Sequence, residues 1–160
     1  MSSSLPLRRW VIGALRAPAL LYDWNLGWLL GRRFLRLTHR GRHSGRCYRM
    51  MLEVIGEHRE QRELFVMVGL GRRAQWYRNV VAGGAVEVAI GSERFRPDYR
   101  ELGTAEAATI LGDYERRHRV VTPLVRIVLS RLVGWRYDGS PPARQRLVSE
   151  RPILALRPAS

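Results

Sequence analysis

The sequence predicts an α+β, mainly β protein: a small barrel of about six mostly antiparallel strands, with an N-terminal helix and added helices. Alternating apolar and polar residues predict half-buried strands over 48–54 and 86–90. Glycine-rich turns separate the strand-like segments at hairpin-like spacing. Two runs with helical periodicity begin near Thr104 and Pro123. Together these observations indicate antiparallel hairpins with interspersed helices.

The first half of the chain is predicted to place strands on either side of a turn rich in glycine and arginine. A short strand over 34–38 enters this turn, and a longer strand over 46–54 leaves it. Polar residues at 57–63 are typical of a hairpin tip, so residues 64–68 are expected to return as the second strand. A second glycine-arginine loop over 69–73 and a short helix over 75–82 follow, ended by Gly83 and Gly84.

The second half is predicted to be a hairpin followed by helices and a last strand. Residues 86–90 form one strand, Gly91 and Ser92 form the turn, and 93–102 pair back, with Pro97 marking an edge or bulge. Thr104 is expected to cap a helix that runs to about residue 119. The remaining elements are a helix after Pro123 with Leu124, Ile127, Val128 and Leu132 facing inward, a loop over 134–142, and a strand over 153–156.

The chain is predicted to have two parts, an amphipathic helical segment over 1–32 and a barrel domain over 33–160. In the first part, Leu20, Trp24 and Trp28 recur at every fourth position and share one helical face. One interpretation is a helix that covers the core or forms a dimer interface. The other is a basic, tryptophan-rich helix lying on a membrane surface. A spanning helix is not expected, because the apolar runs are shorter than the ~20 residues that a bilayer requires.

The charge of the chain restricts its partners. All 28 residues of the Lys+Arg class are arginine, and the formal net charge is +14. A genome that favours arginine codons explains this, and so does a polyanionic partner such as nucleic acid, anionic lipid or a phosphorylated cofactor. Nucleic acid is the least supported, because the arginines are spread along the chain and no nucleic-acid-binding motif occurs. The single cysteine, Cys47, excludes an intrachain disulfide and fits a cytoplasmic protein.

The residues 37–49 combine the features of an anion-binding turn. Gly41 and Gly45 permit positive φ and let backbone amides approach a ligand closely. Ser44 adds a hydroxyl, and four arginines surround the same point with positive charge whose planar groups suit phosphate or carboxylate oxygens. We expect this turn to meet the second glycine-arginine loop and its short helix, so that both hold one phosphate. No catalytic triad is evident, and the scattered histidines lack metal-ligand spacing, so no metal is expected.

Neither loop matches a known nucleotide fingerprint. The Gly-Lys-Ser/Thr ending of a Walker loop is missing, and no glycine motif opens a long helix. The order of the motifs is more informative. Gly41-Arg42-His43-Ser44-Gly45 is followed by Tyr48-Arg49, then by 69–73, by Trp76-Tyr77-Arg78-Asn79 and by Val86-Glu87-Val88. With this order, the chain resembles the deazaflavin-dependent nitroreductase family over about residues 34 to 119, with the closing strand near Ile153.

The resemblance implies a split β-barrel of the FMN-binding type and, as the ligand, the 8-hydroxy-5-deazaflavin coenzyme F-420, with FMN as the alternative. This coenzyme carries a phosphate and an oligoglutamate tail, which agrees with the anion-binding turn. The family's chemistry is hydride transfer to an electron-poor acceptor such as a quinone or a nitro compound. By similarity, the cofactor-binding residues are Arg42, His43, Ser44, Tyr48, Arg49, Met50, Met51, Leu52, Val68, Gly69, Leu70, Gly71, Gln75, Trp76, Tyr77 and Asn79.

The substrate site is less well defined by this resemblance. Tyr48 and Tyr77 are the candidates for a proton donor, and packing with a satisfied hydroxyl is the other interpretation of both. A homodimer is implied by the family, and peripheral membrane contact is expected through the N-terminal helix. Two other functions stay open: a non-catalytic barrel that binds deazaflavin, flavin or haem, and a basic nucleic-acid-binding module.

Overall fold

The computed structural model describes residues 31–160 of the chain; residues 1–30, which carry the predicted N-terminal helix and its membrane contact, lie outside the described part. The described fold is a mixture of α and β, with two antiparallel four-stranded sheets and four helices. The strands are β1 (Phe34–Arg40), β2 (Cys47–Glu53), β3 (Gly56–His58), β4 (Glu63–Met67), β5 (Ala85–Ile90), β6 (Glu93–Phe95), β7 (Pro97–Glu101) and β8 (Ile153–Pro158). The helices are α1 (Gln75–Asn79), α2 (Thr104–Arg117), α3 (Thr122–Val133) and α4 (Pro141–Glu150).

The first sheet has the strand order β2-β1-β5-β6. β1 and β2 form the expected hairpin, in which Leu37 pairs with Met50 and His39 pairs with Tyr48. The register between β1 and β5 shifts at Thr38 and His39. Such an irregularity bends the strand locally, and here it lies one residue before the end of β1 and the turn that follows.

The second sheet has the strand order β3-β4-β8-β7, which corrects two sequence predictions. Residues 64–68 were expected to return against the strand over 46–54, but β4 pairs with β3 and β8 instead. Residues 93–102 were expected to form one return strand. They divide at Arg96, so that β6 pairs with β5 in the first sheet and β7 pairs with β8 in the second. The described chain therefore has eight strands rather than six.

The main core lies between the two sheets. Leu35 and Leu37 of β1 meet Leu154 and Leu156 of β8 there, and all four side chains are fully buried. Helix α1 closes the same core with Trp76, together with Tyr77 and Val80 from the same segment. Because several large apolar side chains are removed from water together, this cluster accounts for much of the driving force for folding.

A second core lies between the other face of the second sheet and helices α2, α3 and α4. Phe65, Ile153 and Ala155 contribute from the sheet, and Leu111 and Leu147 contribute from the helices. Its buried polar group is the carboxylate of Glu115, which accepts hydrogen bonds from the Tyr137 hydroxyl, from Arg126 at 3.0 Å and from Arg144 at 3.2 Å. A buried charge satisfied in this way fixes how the helices pack.

The helices also depart from the sequence predictions. Thr104 was expected to cap α2, but Gly103 occupies the N-cap position and no side chain caps the helix. Helix α4 begins inside the predicted loop over 134–142, where Ser140 accepts a hydrogen bond from the Ala143 amide. The face of α3 is the reverse of the predicted one: Leu124, Ile127 and Leu132 are exposed, Val128 is half-buried, and Leu129 is buried. Within residues 31–160, no helix is both long and apolar enough to cross a bilayer.

Candidate functional site

The turn between β1 and β2 is a closed loop that needs glycine at two positions. The Gly41 amide donates to the Arg46 carbonyl at 2.8 Å, and the Gly45 amide donates to the Gly41 carbonyl at 2.9 Å. Gly45 has a φ of +69°, which other residues rarely adopt. A Cβ on Gly41 would lie 2.5 Å from the Ser44 hydroxyl oxygen and 2.9 Å from Cε2 of Tyr48. The Ser44 side chain therefore lies against Gly41, where a larger residue would collide with it.

Arg42 joins this loop to helix α1. Its Nη1 donates to Asn79 Oδ1 at 2.9 Å and to Gln75 Oε1 at 3.0 Å, and its Nη2 also donates to Gln75 Oε1 at 3.0 Å. The Arg42 amide donates to Asn79 Oδ1 at 3.1 Å. The first loop therefore meets the short helix that follows the second loop, which is one part of the predicted convergence; that both loops hold one phosphate stays a prediction.

The buried side chain of Asn79 continues this network to His39. Because Asn79 Oδ1 accepts from Arg42, its amide nitrogen Nδ2 is left to donate to His39 Nδ1, at 3.1 Å. His39 is therefore held as a neutral imidazole with its proton on Nε2. Burial lowers the pKa of His39, which favours the same neutral form. Sequence reasoning did not assign His39 to the site, and its one signal was its place within the stretch 37–49, two residues before Gly41.

The β2 side of the site is formed by Tyr48. Its ring stacks on His39 with 5.8 Å between ring centroids, and its hydroxyl shares a hydrogen bond of 3.1 Å with Ser44 Oγ. The Arg46 amide also donates to Ser44 Oγ, at 3.3 Å. With 45% of its surface exposed, Tyr48 presents an aromatic ring and a hydroxyl to solvent beside the loop.

The second loop faces a different partner. Residues Gly71–Arg73 form a 3-10 turn, and Gly71 has a φ of +71°. Arg72 donates to the Ser149 carbonyl at 3.0 Å and forms an ion pair with Glu101 of β7. Arg72 of the second loop therefore extends toward the second sheet and α4. Helix α1, which follows this loop, is the part that contacts the first loop.

The helix that follows the second loop is shorter than the sequence predicted. The segment 75–82 is α-helical only to Asn79, and a wider turn continues to Gly84, where Gly83 has a φ of +82°. A five-residue helix contributes little dipole, so the positive potential of the site comes mainly from arginine side chains.

The predicted cofactor-binding residues separate into two groups. One group is solvent-accessible, wholly or in part, and could contact a ligand: Arg42, His43, Ser44, Tyr48, Arg49, Met50, Gly69, Leu70 and Gln75. The other group is buried and packs beneath these positions or in the adjoining core: Met51, Leu52, Val68, Gly71, Trp76, Tyr77 and Asn79. The assignment of these residues to the cofactor stays a prediction.

The electrostatics of this region suit an anion. Arg40 and Arg46 are exposed at the two ends of the loop, and within residues 31–160 neither forms an ion pair with a carboxylate. No acidic residue occurs between Phe34 and Leu52 in the sequence. Positive guanidinium groups beside the Ser44 hydroxyl are the donor set that a phosphate or a carboxylate tail requires.

The two candidate proton donors have different surroundings. The Tyr77 hydroxyl donates to Glu101 Oε2 at 2.8 Å, and burial, reinforced by this carboxylate, raises the pKa of Tyr77. Tyr77 is also buried in the main core. Tyr48 is exposed beside Ser44, so Tyr48 is the more accessible donor.

Two cavities lie elsewhere on the described surface. One of about 360 Å³ is lined mainly by charged side chains, among them Arg32 before β1, Glu57 of β3 and Glu93 of β6. The other, of about 400 Å³, lies beside α3. Neither cavity includes a residue predicted to bind the cofactor, so the candidate site is the surface formed by the 41–46 loop, the start of β2 and helix α1.

Residues 23–120, more than half of the chain, match the family model described as "F420H(2)-dependent quinone reductase". The chain belongs to this family. The match includes the 41–46 loop, β2 and α1, and it confirms the deazaflavin-dependent reductase class that the motif order indicated. Members of the F420H(2)-dependent quinone reductase family are enzymes, and their cofactor is coenzyme F-420.

Comparison with solved structures gives two similar chains. A structure titled "Structure of F420-H2 Dependent Reductase (FDR-A)" is 19% identical, covers 79% of this chain and 96% of its own, and has a TM-score of 0.44. A structure whose title describes a domain-swapped dimer is also 19% identical, covers 79% of this chain and 81% of its own, and has the same TM-score of 0.44. No curated protein matches this quinone reductase family member in sequence. Within residues 31–160, no group of three or more histidine, cysteine or acidic side chains could hold a metal ion.

Proposed function

We propose that this protein reduces a quinone with reduced coenzyme F-420, and that the 41–46 loop holds the anionic end of the coenzyme. The contact between Arg42 and helix α1 carries this proposal. It fixes the loop on the same surface as Tyr48 and leaves the Ser44 hydroxyl and the Arg46 guanidinium accessible. A fixed loop of this kind binds an anion without first having to become ordered.

The residues present fit the coenzyme. Its phosphate and glutamates need positive, hydrogen-bonding partners, and Arg46, Arg40, Ser44 and His43 offer them at one end of the surface. The half-buried Met50 and the exposed ring of Tyr48 offer apolar area on which an aromatic ring system can lie. Arg42 is engaged by Gln75 and Asn79, so we propose that it positions the loop.

When bound, the coenzyme supplies a hydride to an electron-poor acceptor. The protein's task is then to hold both molecules in line and to provide a proton for the reduced acceptor. We propose Tyr48 as the donor, because its hydroxyl is accessible and is already hydrogen-bonded to Ser44. A nitro compound is the alternative acceptor, because it is similarly electron-poor.

We extend the proposal to the architecture. The two sheets, with their shared core, are proposed to form the split β-barrel implied by the family resemblance. We also propose a homodimer on the grounds of the family resemblance. From the sequence pattern we propose a division into an N-terminal segment over 1–32 and a domain over 33–160, and a cytoplasmic location with peripheral membrane contact through the N-terminal segment. Limited proteolysis would test the division, and light scattering would test the dimer.

The experiment that tests the function compares three cofactors and three acceptors. Purified protein is titrated with oxidised coenzyme F-420, FMN and FAD, and turnover of the reduced coenzyme is followed with a water-soluble quinone, a nitroaromatic compound and oxygen. We expect selective binding of coenzyme F-420 and the fastest oxidation with the quinone. Tight binding without oxidation would favour a non-catalytic carrier, and salt-sensitive binding of duplex DNA with no cofactor binding would favour a nucleic-acid module.

A further inference from the structure

Helix α3 presents an unusually apolar surface to solvent. Leu124 is 63% exposed, Ile127 is 51% exposed and Leu132 is 42% exposed. Their spacing in a helix of 12 residues places them on one side, where Val128 is half-buried. Val120, which is 94% exposed, and Val121 extend the apolar surface before the helix begins. We call these residues the α3 face.

The orientation of the α3 face is fixed by the opposite side of the helix. Leu129 packs in the second core, the Tyr137 amide donates to Ser130 Oγ at 2.8 Å, and Arg126 donates to the buried carboxylate of Glu115 at 3.0 Å. Turning the helix to bury Leu124 would break these contacts and expose Leu129. The α3 face is therefore an outward surface that the fold specifies.

Basic groups surround the α3 face. Arg119 precedes it, Arg131 lies on it, and Arg136 follows it, and all three are exposed. The cavity of about 400 Å³ lies at its edge, lined by Ile127, Arg131 and Arg136 together with Arg126, Ser130, Tyr137 and Asp138. Arg126 is paired with Glu115, and Asp138 is the acidic residue of the cavity, so Arg131 and Arg136 leave it positive.

We propose that the α3 face docks on an anionic lipid bilayer surface. An apolar stripe bordered by arginines is the pattern of a helix that lies in the membrane interface, with apolar side chains below the headgroups and guanidinium groups at the phosphates. The charge favours lipid over a second copy at this face, because apposing two α3 faces would bring the exposed Arg119, Arg131 and Arg136 of both copies together. The cavity beside Arg131 and Arg136 is the place for a headgroup phosphate.

A path of contacts connects the α3 face to the second loop, which leads into helix α1 of the candidate site. Arg151 donates to the Leu132 carbonyl at 3.0 Å and packs against Gly71 of the second loop. The neighbouring Leu70 is 65% exposed. Docking would thus hold the second loop close to the bilayer, where an apolar quinone dissolves. This consequence rests on the proposed function, whereas docking itself does not.

The test is sedimentation of the full chain with vesicles of phosphatidylcholine containing phosphatidylglycerol, and with vesicles of phosphatidylcholine alone. We expect binding to the anionic vesicles and little binding to the neutral ones. Replacing both Leu124 and Ile127 with glutamine should weaken binding by about tenfold or more, because two apolar side chains leave the bilayer. Val81→Gln, which changes an apolar residue that is 48% exposed outside α3, is the matched control and should bind like the wild type.

The charge is tested in the same assay. Arg131→Gln should weaken binding to the anionic vesicles severalfold, whereas Arg59→Gln, which removes an exposed arginine of another surface, should change it much less. Failure of the wild-type chain to bind anionic vesicles would overturn the proposal, as would unchanged binding of the double glutamine variant. Turnover of a water-soluble quinone separates this failure from failure of the proposed function, because that assay needs no membrane.

A depth probe identifies what covers the helix. Cys47 is the chain's single cysteine, so Leu124→Cys in a Cys47→Ser background accepts one environment-sensitive fluorophore. We expect the emission of the fluorophore to shift to shorter wavelength only when anionic vesicles are added, and we expect spin-labelled lipid to quench this emission. A blue shift without vesicles would show that residues 1–30 or a second copy covers the α3 face, and would overturn the proposal.

Discussion

Asn79 Oδ1 accepts two hydrogen bonds from Arg42, one from its backbone amide at 3.1 Å and one from its guanidinium at 2.9 Å. The side chain of Asn79 is buried, so both bonds lie in a place where their loss would leave polar atoms unsatisfied. This one amide group therefore fixes the position of the anion-binding loop relative to helix α1.

Arg42→Ala should weaken coenzyme F-420 binding by about 1.5–3 kcal/mol, because the loss of a charge-assisted bond releases the loop. Fluorescence titration of the coenzyme would measure the change in Kd. Arg78→Ala is the control, since it removes an exposed arginine of helix α1, the helix that Arg42 contacts, and should change the Kd by much less. Equal effects of the two substitutions would show that general positive charge, and not loop position, determines affinity.

The fold should lose stability as the pH falls below 6.5, the ordinary pKa of histidine. Burial lowers the pKa of His39, so the unfolded chain takes up a proton at a higher pH than the folded chain does. The contribution of neutral His39 is complete above 6.5 and decreases below it. Urea unfolding at several pH values would measure this, and His39→Asn should reduce the slope. An unaltered slope in that variant would assign the pH dependence to other groups.

Gly41→Ala should displace the loop, since a methyl group there would meet Ser44 and Tyr48 within 2.9 Å. We expect coenzyme affinity to fall by about tenfold or more, and the free energy of unfolding to fall by roughly 1–3 kcal/mol. Gly69→Ala is the comparison, because nothing lies within 4 Å of a Cβ there. Thermal unfolding of both variants tests the steric argument, and a larger loss of stability at Gly69 would contradict it. Coenzyme titration of Gly41→Ala measures the loss of binding.

The two tyrosines should respond differently to removal of the hydroxyl. Tyr48→Phe should lower kcat by about tenfold or more if this hydroxyl supplies the proton. Tyr77→Phe should instead cost about 1 kcal/mol in the free energy of unfolding, because its bond to Glu101 is lost, and should leave kcat within a few-fold of the wild type. Steady-state turnover with a soluble quinone distinguishes the roles. A loss of kcat confined to Tyr77→Phe would assign the role of proton donor to Tyr77.

The hairpin of β1 and β2 could be predicted from the sequence because its information is local. Alternation identifies β2, a short strand-like run identifies β1, and Gly41 with Gly45 identifies the turn between them. For the contact of Arg42 with helix α1, the sequence indicated only that two loops converge, and it did not identify Gln75 and Asn79 as the hydrogen-bond partners. His39 was missed because its role depends on burial and on Asn79, which lies 40 positions further along the chain.

The pairing of the remaining strands could not be read from local patterns. The polar stretch over 57–63 is a hairpin tip, but it joins β3 to β4 within the second sheet. The chain passes from one sheet to the other before it, at Val54 and Ile55 between β2 and β3. Helix α3 shows a related limit. Apolar residues occupy much of its circumference, so periodicity identifies the helix, while the Tyr137 and Glu115 contacts of its other side determine which residues face the core. Helix α4 begins with two prolines and has few apolar residues, which weakens its helical pattern.

The central position of β8 has a consequence for synthesis. This strand lies between β4 and β7, and its alternate residues complete both hydrophobic clusters. A nascent chain that has emerged only as far as residue 150 therefore has two unpaired strand edges and an open apolar gap. We expect such an intermediate to depend on chaperones, and arrested chains ending before Ile153 to be protease-sensitive, whereas chains extended past Pro158 become resistant.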